Sequence, residues 1–341
     1  MVLPLAVDLD PRVLQAAGLA YVTDAQPGIT RQRAGKGFTY RMHTGARVSA
    51  SERARIERLA IPPAWTDVWI SADPCGHLQA TGRDARGRKQ YRYHPDWRRI
   101  RDEAKYDQLA DFGSALTDLR RTLERDLEDR GLGKRKVVAL VLSILDRTLI
   151  RIGNDEYARE NQTYGLTTLQ RRHVSANGQS IRLRFRGKSG LEHDVSLTDR
   201  RLVRLVRRCH ELGGKELFTY LGADEELVRV DSSDCNDYLR EAVGPEMTVK
   251  TFRTWGGSAA ALEFLAHRDD EPPTERLLVA AIDHAAHQLG NTRAVCRSAY
   301  IHPAVLEAGR SGALSEVWRS ARQTARMERH ERALLRLLSH D

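Results

Sequence analysis

The sequence predicts an α+β protein with a small N-terminal antiparallel β-sheet domain with short helices, over residues 1–103, and a larger, mainly α-helical domain, over residues 104–341, carrying a three-stranded antiparallel sheet. Three observations predict it. Alternating, turn-rich segments fill the first hundred residues. Apolar residues recur at three- and four-residue spacing in most of the remainder, and residues 167–197 return to a period of two. The boundary is placed inside a charged segment.

Short strands and helices separated by turns are predicted for the first domain. The segment QPGITRQRAGKG, before Phe38, is turn-rich and basic. Helix patterns are bounded by residues that favour helix starts and stops, and strand patterns alternate between turn signals. Helices are predicted over residues 11–19 and 51–59, and strands over residues 38–48, 68–70 and 77–81.

Residues 82–97, GRDARGRKQYRYHPDW, interleave cations with aromatic residues. Because side chains alternate along a strand, Tyr91 and Tyr93 share one face and Arg92 lies on the other. Such a surface suits a strand that binds phosphates and packs against sugars or bases. An exposed amphipathic strand whose tyrosines cover the sheet explains the pattern equally well, and both interpretations stay open.

Helical periodicity begins near Trp97 and dominates the second domain. Residues 137–152 are apolar on nearly all faces, which predicts a buried helix, and Gly153 suits its C-cap. Further helices are predicted over residues 197–212, 249–265 and 274–289, and a basic amphipathic helix from residue 314 onward.

Residues 181–186 alternate apolar and cationic side chains, so one face of this strand is apolar and the other is basic. Asn177-Gly178 is a strong hairpin signal, and the glycines at 187 and 190 predict a second turn. Three strands therefore form a meander, with Lys188 at a turn tip.

Charge suggests the class of partner. The chain has 341 residues, 41% of them hydrophobic and 30% charged, which is typical of a folded soluble protein. Lys and Arg number 55 against 46 Asp and Glu, a net charge of +9, and this excess favours a polyanion such as nucleic acid.

The cysteines and the apolar runs indicate the compartment. The four cysteines form no C-x-x-C pair, so neither a disulfide framework nor a zinc site is indicated. No basic signal-peptide segment opens the chain, and no apolar run approaches the ~20 residues of a membrane span. We expect a cytoplasmic, reduced protein.

Three possible cofactor motifs are set aside. Gly187-Lys188-Ser189 resembles the end of a P-loop, but Arg182 stands where that loop requires glycine. The pair Asp8 and Asp10 lacks an acidic partner cluster. The helical pair His284 and His287, with Asp283 beside it, lacks a third ligand in the pattern. We expect no metal and no nucleotide cofactor.

The segment GNTRAVCRSAYIHP, residues 290–303, surrounds Tyr300 with basic residues. A phenol with an unperturbed pKa near ~10 is a poor nucleophile at neutral pH. Among fixed cations beside a phosphodiester, it could attack phosphorus and become covalently attached to DNA. The alternative is a helix followed by a tyrosine that packs in the core.

Six segments together resemble the poxvirus-like, bacterial branch of the type IB DNA topoisomerases, over about residues 36–310. Two lie in the first domain, LAIPPAWTDVWI and GRDARGRKQYRYHP. The other four are LIRIGNDEYARENQTYGLTTL, the Lys188 turn, VKTFRTWGGSAAALEFL and GNTRAVCRSAYIHP. Their order along the chain is the order in that family.

The resemblance implies roles for individual residues. The catalytic residues would be the nucleophile Tyr300, the general acid Lys188, Arg151, Arg253 and Asn291. The DNA-binding residues would be Gln90, Tyr91, Tyr93, Tyr157 and Lys250. The family pattern commonly has histidine where this chain has Asn291, and an amide can donate a hydrogen bond but cannot become cationic.

The resemblance also implies an activity. The enzyme would relax supercoiled DNA through a 3′-phosphotyrosyl intermediate, strand swivelling and religation, without ATP or an obligatory metal. The first domain would help to clamp double-stranded DNA, and the second would carry the chemistry. We expect a nucleoid-associated monomer. The two arginines would each donate two hydrogen bonds to the phosphate oxygens in the transition state.

Two other functions fit parts of the pattern. A tyrosine recombinase shares the Arg, Lys, Arg and Tyr chemistry, but it usually has histidine where this chain has Lys250. A non-catalytic DNA-binding protein would use the basic strand and the C-terminal helix, and its binding would depend steeply on salt. Neither would relax a plasmid without recombination sites.

Overall fold

The computed structural model describes residues 14–15, 17–177, 179–268 and 274–339, excluding the side chains of residues 98, 101–104, 156–157 and 176–177. It divides the chain into two units, residues 1–105 and 106–341. The first has an antiparallel sheet, and the second is mainly helical with a three-stranded antiparallel sheet. The predicted α+β fold class is confirmed. The helix predicted over residues 11–19 and the Asn177-Gly178 turn lie partly outside the described residues.

Five antiparallel strands form the sheet of the first unit, in the order β2-β1-β3-β4-β5. They are β1 (Ile29–Ala34), β2 (Gly37–Arg41), β3 (Thr66–Ile70), β4 (Leu78–Arg83) and β5 (Lys89–Tyr93), with helix α1 (Ala50–Arg58) between β2 and β3. The hydrophobic core between sheet and helix is small. Its buried residues are Ile29, Ile56, Val68, Ile70 and Ala80.

Two details of this unit differ from the sequence prediction. The turn-rich prediction before residue 35 was wrong, because strand β1 lies there. Its basic Arg31 is accommodated over the Phe38 ring, 4.2 Å from the centroid, and donates to the Ile61 carbonyl at 3.2 Å. Helix α1 begins one residue before the predicted start at Ser51, because the Ser49 hydroxyl caps it by accepting from the Glu52 amide at 3.1 Å.

The second unit is mainly helical and carries the small three-stranded sheet, one face of which is exposed. The first part comprises α2 (Pro95–Asp126, which crosses the division between the units), α3 (Lys134–Thr148), α4 (Asp155–Asn161), β6 (Val174–Asn177), β7 (Ser180–Arg186), β8 (Glu192–Leu197) and α5 (Arg200–Leu212). The remainder comprises β9 (Thr219–Leu221), β10 (Leu227–Arg229), α6 (Ser232–Val243), α7 (Val249–Ala266), α8 (Glu275–Leu289), α9 (Arg293–Ala299), α10 (Pro303–Ser311), α11 (Leu314–Ser320) and α12 (Arg329–Leu338). The β9–β10 hairpin was not predicted.

Helix α3 is buried as predicted, but it ends earlier. Leu149 adopts a left-handed conformation (φ 53°) and caps the helix, so Gly153 is not the cap. The helical pattern continues past this point only because the next residues, Ile150 and Ile152, also pack on the core. As a result, Arg151 lies in a loop between α3 and α4.

The C-terminal segment is two helices, not the single basic amphipathic helix that was predicted. Helix α11 ends at buried Ala321, whose extended backbone (ψ 136°) breaks the pattern, and α12 begins eight residues later. Helix α12 packs in the core: Leu334 is fully buried, and Glu331 accepts from both the Arg120 guanidinium (2.7 Å) and the Trp255 indole (3.2 Å). The apolar side of the C-terminal helix is therefore used for packing within the second unit.

Arg120 joins this helix to α3. Its guanidinium donates to both oxygens of Asp146, at 2.8 and 2.9 Å, and to both oxygens of Glu331, at 2.7 Å each. Burial raises the pKa of Glu331, but Arg120 more than offsets this, so the pKa lies below its usual value. Four helices, α2, α3, α7 and α12, thus meet at one charge network.

Among the helices in the described part of the chain, none has the length and apolar composition required to cross a bilayer.

Candidate active site

Helix ends position most of the predicted catalytic residues. Arg151 follows α3, Asn291 follows α8, and Tyr300 is the residue that caps α9. Arg253 lies in the second turn of α7, which runs through the middle of the unit. The structure brings these four residues together, as the hydrogen bonds and charges described below show.

Arg253 binds the ends of two other helices. It is 4% exposed; Nη2 donates to the Leu289 carbonyl at 2.8 Å, and Nη1 donates to the Leu149 carbonyl. Carbonyls in a last helical turn lack intrahelical partners and form the negative end of the helix dipole, so a buried cation is favourable there. Burial and then the charge of Arg151 lower the pKa of Arg253 to about 10, which leaves it protonated at neutral pH.

Arg151 binds the turn that follows α8. Nη2 donates to the Asn291 Oδ1, and Nη1 and Nη2 each approach the Gly290 carbonyl at 3.4 Å. Burial lowers the pKa of the Arg151 guanidinium, and the Tyr300 phenol opposes this. Residues 289–291 therefore accept hydrogen bonds from both arginines and fix the distance between them.

The two polar atoms of the Asn291 side chain differ in their hydrogen bonding. Its Oδ1 accepts from Arg151, so its amide orientation follows from the bond. Its Nδ2 is buried and has no hydrogen-bond partner among the described residues. A buried donor without a partner lowers the stability of the fold by ~1–3 kcal/mol. A hydrogen bond to an acceptor oxygen would remove this cost.

Tyr300 lies beside these cations. Its ring centroid is 5.1 Å from Cζ of Arg253. Burial raises the pKa of the phenol, but the charge and close approach of Arg253, followed by the charges of Lys250 and Arg151, outweigh burial, so the pKa is lowered. A lowered pKa favours the phenolate form, which is the nucleophilic form.

The Tyr300 backbone is also fixed. Its amide donates to the Cys296 carbonyl at 2.9 Å, and its own carbonyl accepts from the Ser258 hydroxyl at 3.4 Å. The same hydroxyl accepts from the His302 amide at 2.8 Å. Ser258 belongs to α7, so the helix that carries Arg253 also holds the segment that carries Tyr300.

Lys188 lies at the hairpin turn as predicted, in a short 3-10 turn with Ser189 in a left-handed conformation (φ 64°). Its side chain is exposed and makes no hydrogen bond or ion pair with the described residues. The hairpin approaches the turn after α8 through Leu191 and His193, both of which lie close to Gly290. Lys188 is thus on a turn near Asn291, with a free ammonium group.

Sequence reasoning missed His193. Burial and then the charges of Arg151 and Arg253 lower its pKa, which indicates that its ring lies close to both arginines. Its alternating position on β8, facing inward with Val195, was the available signal.

The predicted DNA-binding residues have varied surroundings. Tyr91 and Tyr93 lie on one face with rings stacked at 6.0 Å, and the Tyr93 ring lies 6.4 Å from that of buried Trp97. Gln90 donates to Asp84 at 3.0 Å. Lys250 is exposed in the first turn of α7. Tyr157 lies in α4, but its side chain is outside the described part of the structure.

No group of three or more His, Cys, Asp or Glu residues suited to hold a metal occurs in the described part of the chain. The histidine pair considered earlier has other contacts: His284 Nε2 lies 3.0 Å from the Gln288 amide nitrogen, and Asp283 pairs with Arg293 at 2.6 Å.

Comparisons with known proteins identify similar chains. Residues 94–326 match the family described as eukaryotic DNA topoisomerase I, catalytic core, and residues 37–84 match bacterial DNA topoisomerase IB, N-terminal domain. The chain is 33% identical to DNA topoisomerase 1B of Acanthamoeba polyphaga mimivirus over 82% of its length and 87% of the relative. It is 23% identical to DNA topoisomerase 1B of Vaccinia virus, over 74% of its length and 80% of the relative.

The charge of Lys250 provides a test of the electrostatics at Tyr300. Because this cation lowers the pKa of the phenol, Lys250→Met should raise that pKa. Ultraviolet difference titration of each protein against its Tyr300→Phe counterpart isolates the phenol. Arg297→Met is the control, since Arg297 is exposed and close in sequence but is not among the charges that shift Tyr300. An unchanged pKa in Lys250→Met, or an equal rise in both variants, would contradict the assignment.

Proposed function

The chain belongs to the type IB DNA topoisomerases, and from this premise we propose that Tyr300 is the nucleophile with which it cleaves one strand of double-stranded DNA. It is a DNA-binding isomerase, as its family and its similar proteins indicate. The observation that carries the proposal is the position of the Tyr300 phenol, whose pKa is lowered by Arg253, Lys250 and Arg151 against the effect of burial.

In the proposed reaction, the Tyr300 oxygen releases its proton to solvent and attacks the phosphorus. The bond from phosphorus to the 5′ oxygen breaks, leaving a 3′-phosphotyrosyl bond and a free 5′ hydroxyl. The number of phosphoester bonds is unchanged, so attack by the 5′ hydroxyl restores the DNA and the phenol without ATP. Rotation of the free strand between the two steps releases supercoils.

The arginines would stabilise the charge that builds on the non-bridging oxygens. Both terminal nitrogens of Arg253 donate to carbonyls, and its Nε has no partner among the described residues. Because a guanidinium has five N–H groups and only two of them donate to these carbonyls, the Nε–H and the second hydrogens of the terminal nitrogens remain as donors for the phosphate oxygens. Arg151 has more freedom, because its 3.4 Å contacts with Gly290 are long enough to be exchanged for a phosphate oxygen. Donors of this kind typically supply ~3 kcal/mol each.

Asn291 would be a neutral phosphate contact. Arg151 holds its Oδ1, which leaves the unpaired Nδ2 as a donor to a non-bridging oxygen. The hydrogen bond would remove the cost of the unsatisfied donor only when the phosphate is present. The hydrogen bond from Nδ2 would therefore contribute to phosphate binding.

Lys188 would protonate the leaving 5′ oxygen, which is strongly basic as an alkoxide. Its exposed side chain at a turn tip has no competing partner among the described residues and is free to reach into a groove. General acids of this kind typically accelerate a reaction by ~10²–10⁴-fold.

We propose a monomer that works on nucleoid DNA in the cytoplasm, needing neither ATP nor an obligatory metal. Gln90, Tyr91, Tyr93, Tyr157 and Lys250 are the proposed DNA contacts. The rings of Tyr91 and Tyr93 are stacked and half-buried, which fits both a DNA contact and packing on the sheet. Substitution of these tyrosines would distinguish the two roles.

Relaxation of plasmid DNA tests the proposed nucleophile. In EDTA and without ATP, the wild-type protein should relax a supercoiled plasmid that lacks recombination sites, and detergent should trap a covalent complex. Tyr300→Phe should do neither. Tyr106→Phe, which removes a half-buried phenol hydroxyl that donates to the Ser298 carbonyl at 3.4 Å, should retain activity. Relaxation by Tyr300→Phe, or none by the wild type, would refute the assignment.

Substitutions at Asn291 test the neutral donor. Asn291→Ala should slow single-turnover cleavage by ~10–100-fold, or ~1.4–2.7 kcal/mol. Asn291→Asp should be slower still, because a carboxylate still accepts from Arg151 but repels the phosphate. Asn291→His restores a donor and should exceed both. An Ala variant that cleaves at the wild-type rate would rule out this role.

A further inference from the structure

His193 lies between the two segments that carry Lys188 and Asn291. It is half-buried on β8, and its imidazole stacks on the Phe185 ring with centroids 4.8 Å apart and planes at 10°. Phe185 is buried, so this ring has a fixed platform. Within the described part of the chain, the imidazole nitrogens make no hydrogen bond, which leaves packing as the main contribution of the ring.

One edge of the imidazole lies against the backbone immediately before Lys188. A Cβ added at Gly187 would lie 2.6 Å from both Cδ2 and Nε2 of His193, closer than real Cβ atoms approach. The Gly187 amide also donates to the Leu191 carbonyl at 2.7 Å, which closes the hairpin. The ring therefore sets where the turn with Lys188 begins.

Another edge lies against the backbone immediately before Asn291. A Cβ added at Gly290 would lie 3.0 Å from Cε1 of His193 and 2.7 Å from Cδ2 of Leu191. Gly290 has a left-handed conformation (φ 58°), and its carbonyl is the one that Arg151 approaches. Burial and the charges of Arg151 and Arg253 lower the pKa of His193, so the ring is neutral at neutral pH.

We propose that His193 is a positioning residue that holds the Lys188 turn against residues 290–291, so that the ammonium group reaches the leaving 5′ oxygen. The inference rests on the proposed role of Lys188 as proton donor. Without the ring, the hairpin would lose its contact with the turn after α8 on this side. The Lys188 ammonium group could still donate a proton, but it would no longer be held near the leaving 5′ oxygen.

A change in the leaving group separates this role from a general loss of structure. When sulfur replaces the bridging 5′ oxygen, the leaving group is a thiolate, which departs without accepting a proton. A variant that lacks only proton donation should then cleave nearly as fast as the wild type. A variant with a damaged phosphate site or an unstable fold should stay slow, because sulfur does not restore either.

The experiment measures single-turnover cleavage of matched oxygen and sulfur DNA substrates. We expect His193→Ala to be ~10–100-fold slower than wild type on oxygen DNA, a part of the ~10²–10⁴ that a general acid supplies, and within ~3-fold on sulfur DNA. Equal slowing on both substrates, or no slowing on oxygen DNA, would overturn the proposal.

Lys188→Ala, measured in parallel, distinguishes the proposed role of Lys188 from the proposed role of His193. It should be slow on oxygen DNA and rescued by sulfur; if it stays slow, the proposed role of Lys188 fails. If sulfur rescues Lys188→Ala but not His193→Ala, the role of His193 alone fails. His173→Ala is the matched control, because His173 is also half-buried against an aromatic ring, Tyr164 at 4.4 Å, and should cleave both substrates at the wild-type rate.

Gly187→Ala provides a second route if His193→Ala does not fold. Its added methyl group collides with the ring, so cleavage of oxygen DNA should slow and sulfur should rescue it. In a His193→Ala background, where the ring is gone, Gly187→Ala should cause little further slowing. Additive slowing in the double variant would contradict the proposed contact.

Discussion

The candidate site depends on one buried guanidinium that binds the ends of two helices. Arg253 donates to the Leu149 carbonyl at the end of α3 and to the Leu289 carbonyl at the end of α8. The residues that follow these carbonyls include Arg151 and Asn291, which bind each other. Because helix-end carbonyls need partners and favour a cation, the same two bonds that stabilise the helices also bring Arg151 and Asn291, the proposed phosphate contacts, together.

The helix that carries Arg253 is itself held from two sides. Ser258, one turn further along, donates to the Tyr300 carbonyl and so fixes the segment that carries Tyr300. Trp255 donates to Glu331, which belongs to the network with Arg120. Breaking such a buried pair typically costs ~3–5 kcal/mol, so this network is a strong constraint on the helix.

The sequence was sufficient for what depends on local pattern. Period-two alternation identified the β7 strand and its Lys188 turn, and the α+β class followed from the change in periodicity. The sequence was insufficient where tertiary contacts determine the end of a helix or the partner of a side chain. Leu149 ends α3 in a left-handed conformation while Arg253 binds its carbonyl, a partner more than a hundred residues away. Likewise, the Asn291 bond to Arg151 and the packing of His193 between two turns have no signature in spacing.

The state of Arg253 in the protein without DNA tests this account most directly. Side-chain ¹H–¹⁵N spectra, assigned with Arg253→Lys, report each guanidinium proton. We expect slowly exchanging Nη protons, held by the Leu149 and Leu289 carbonyls, and an Nε proton that shifts when DNA with a scissile phosphate binds the Tyr300→Phe protein. Rapidly exchanging Nη protons in the free protein, or an Nε signal indifferent to DNA, would contradict a site assembled by this guanidinium.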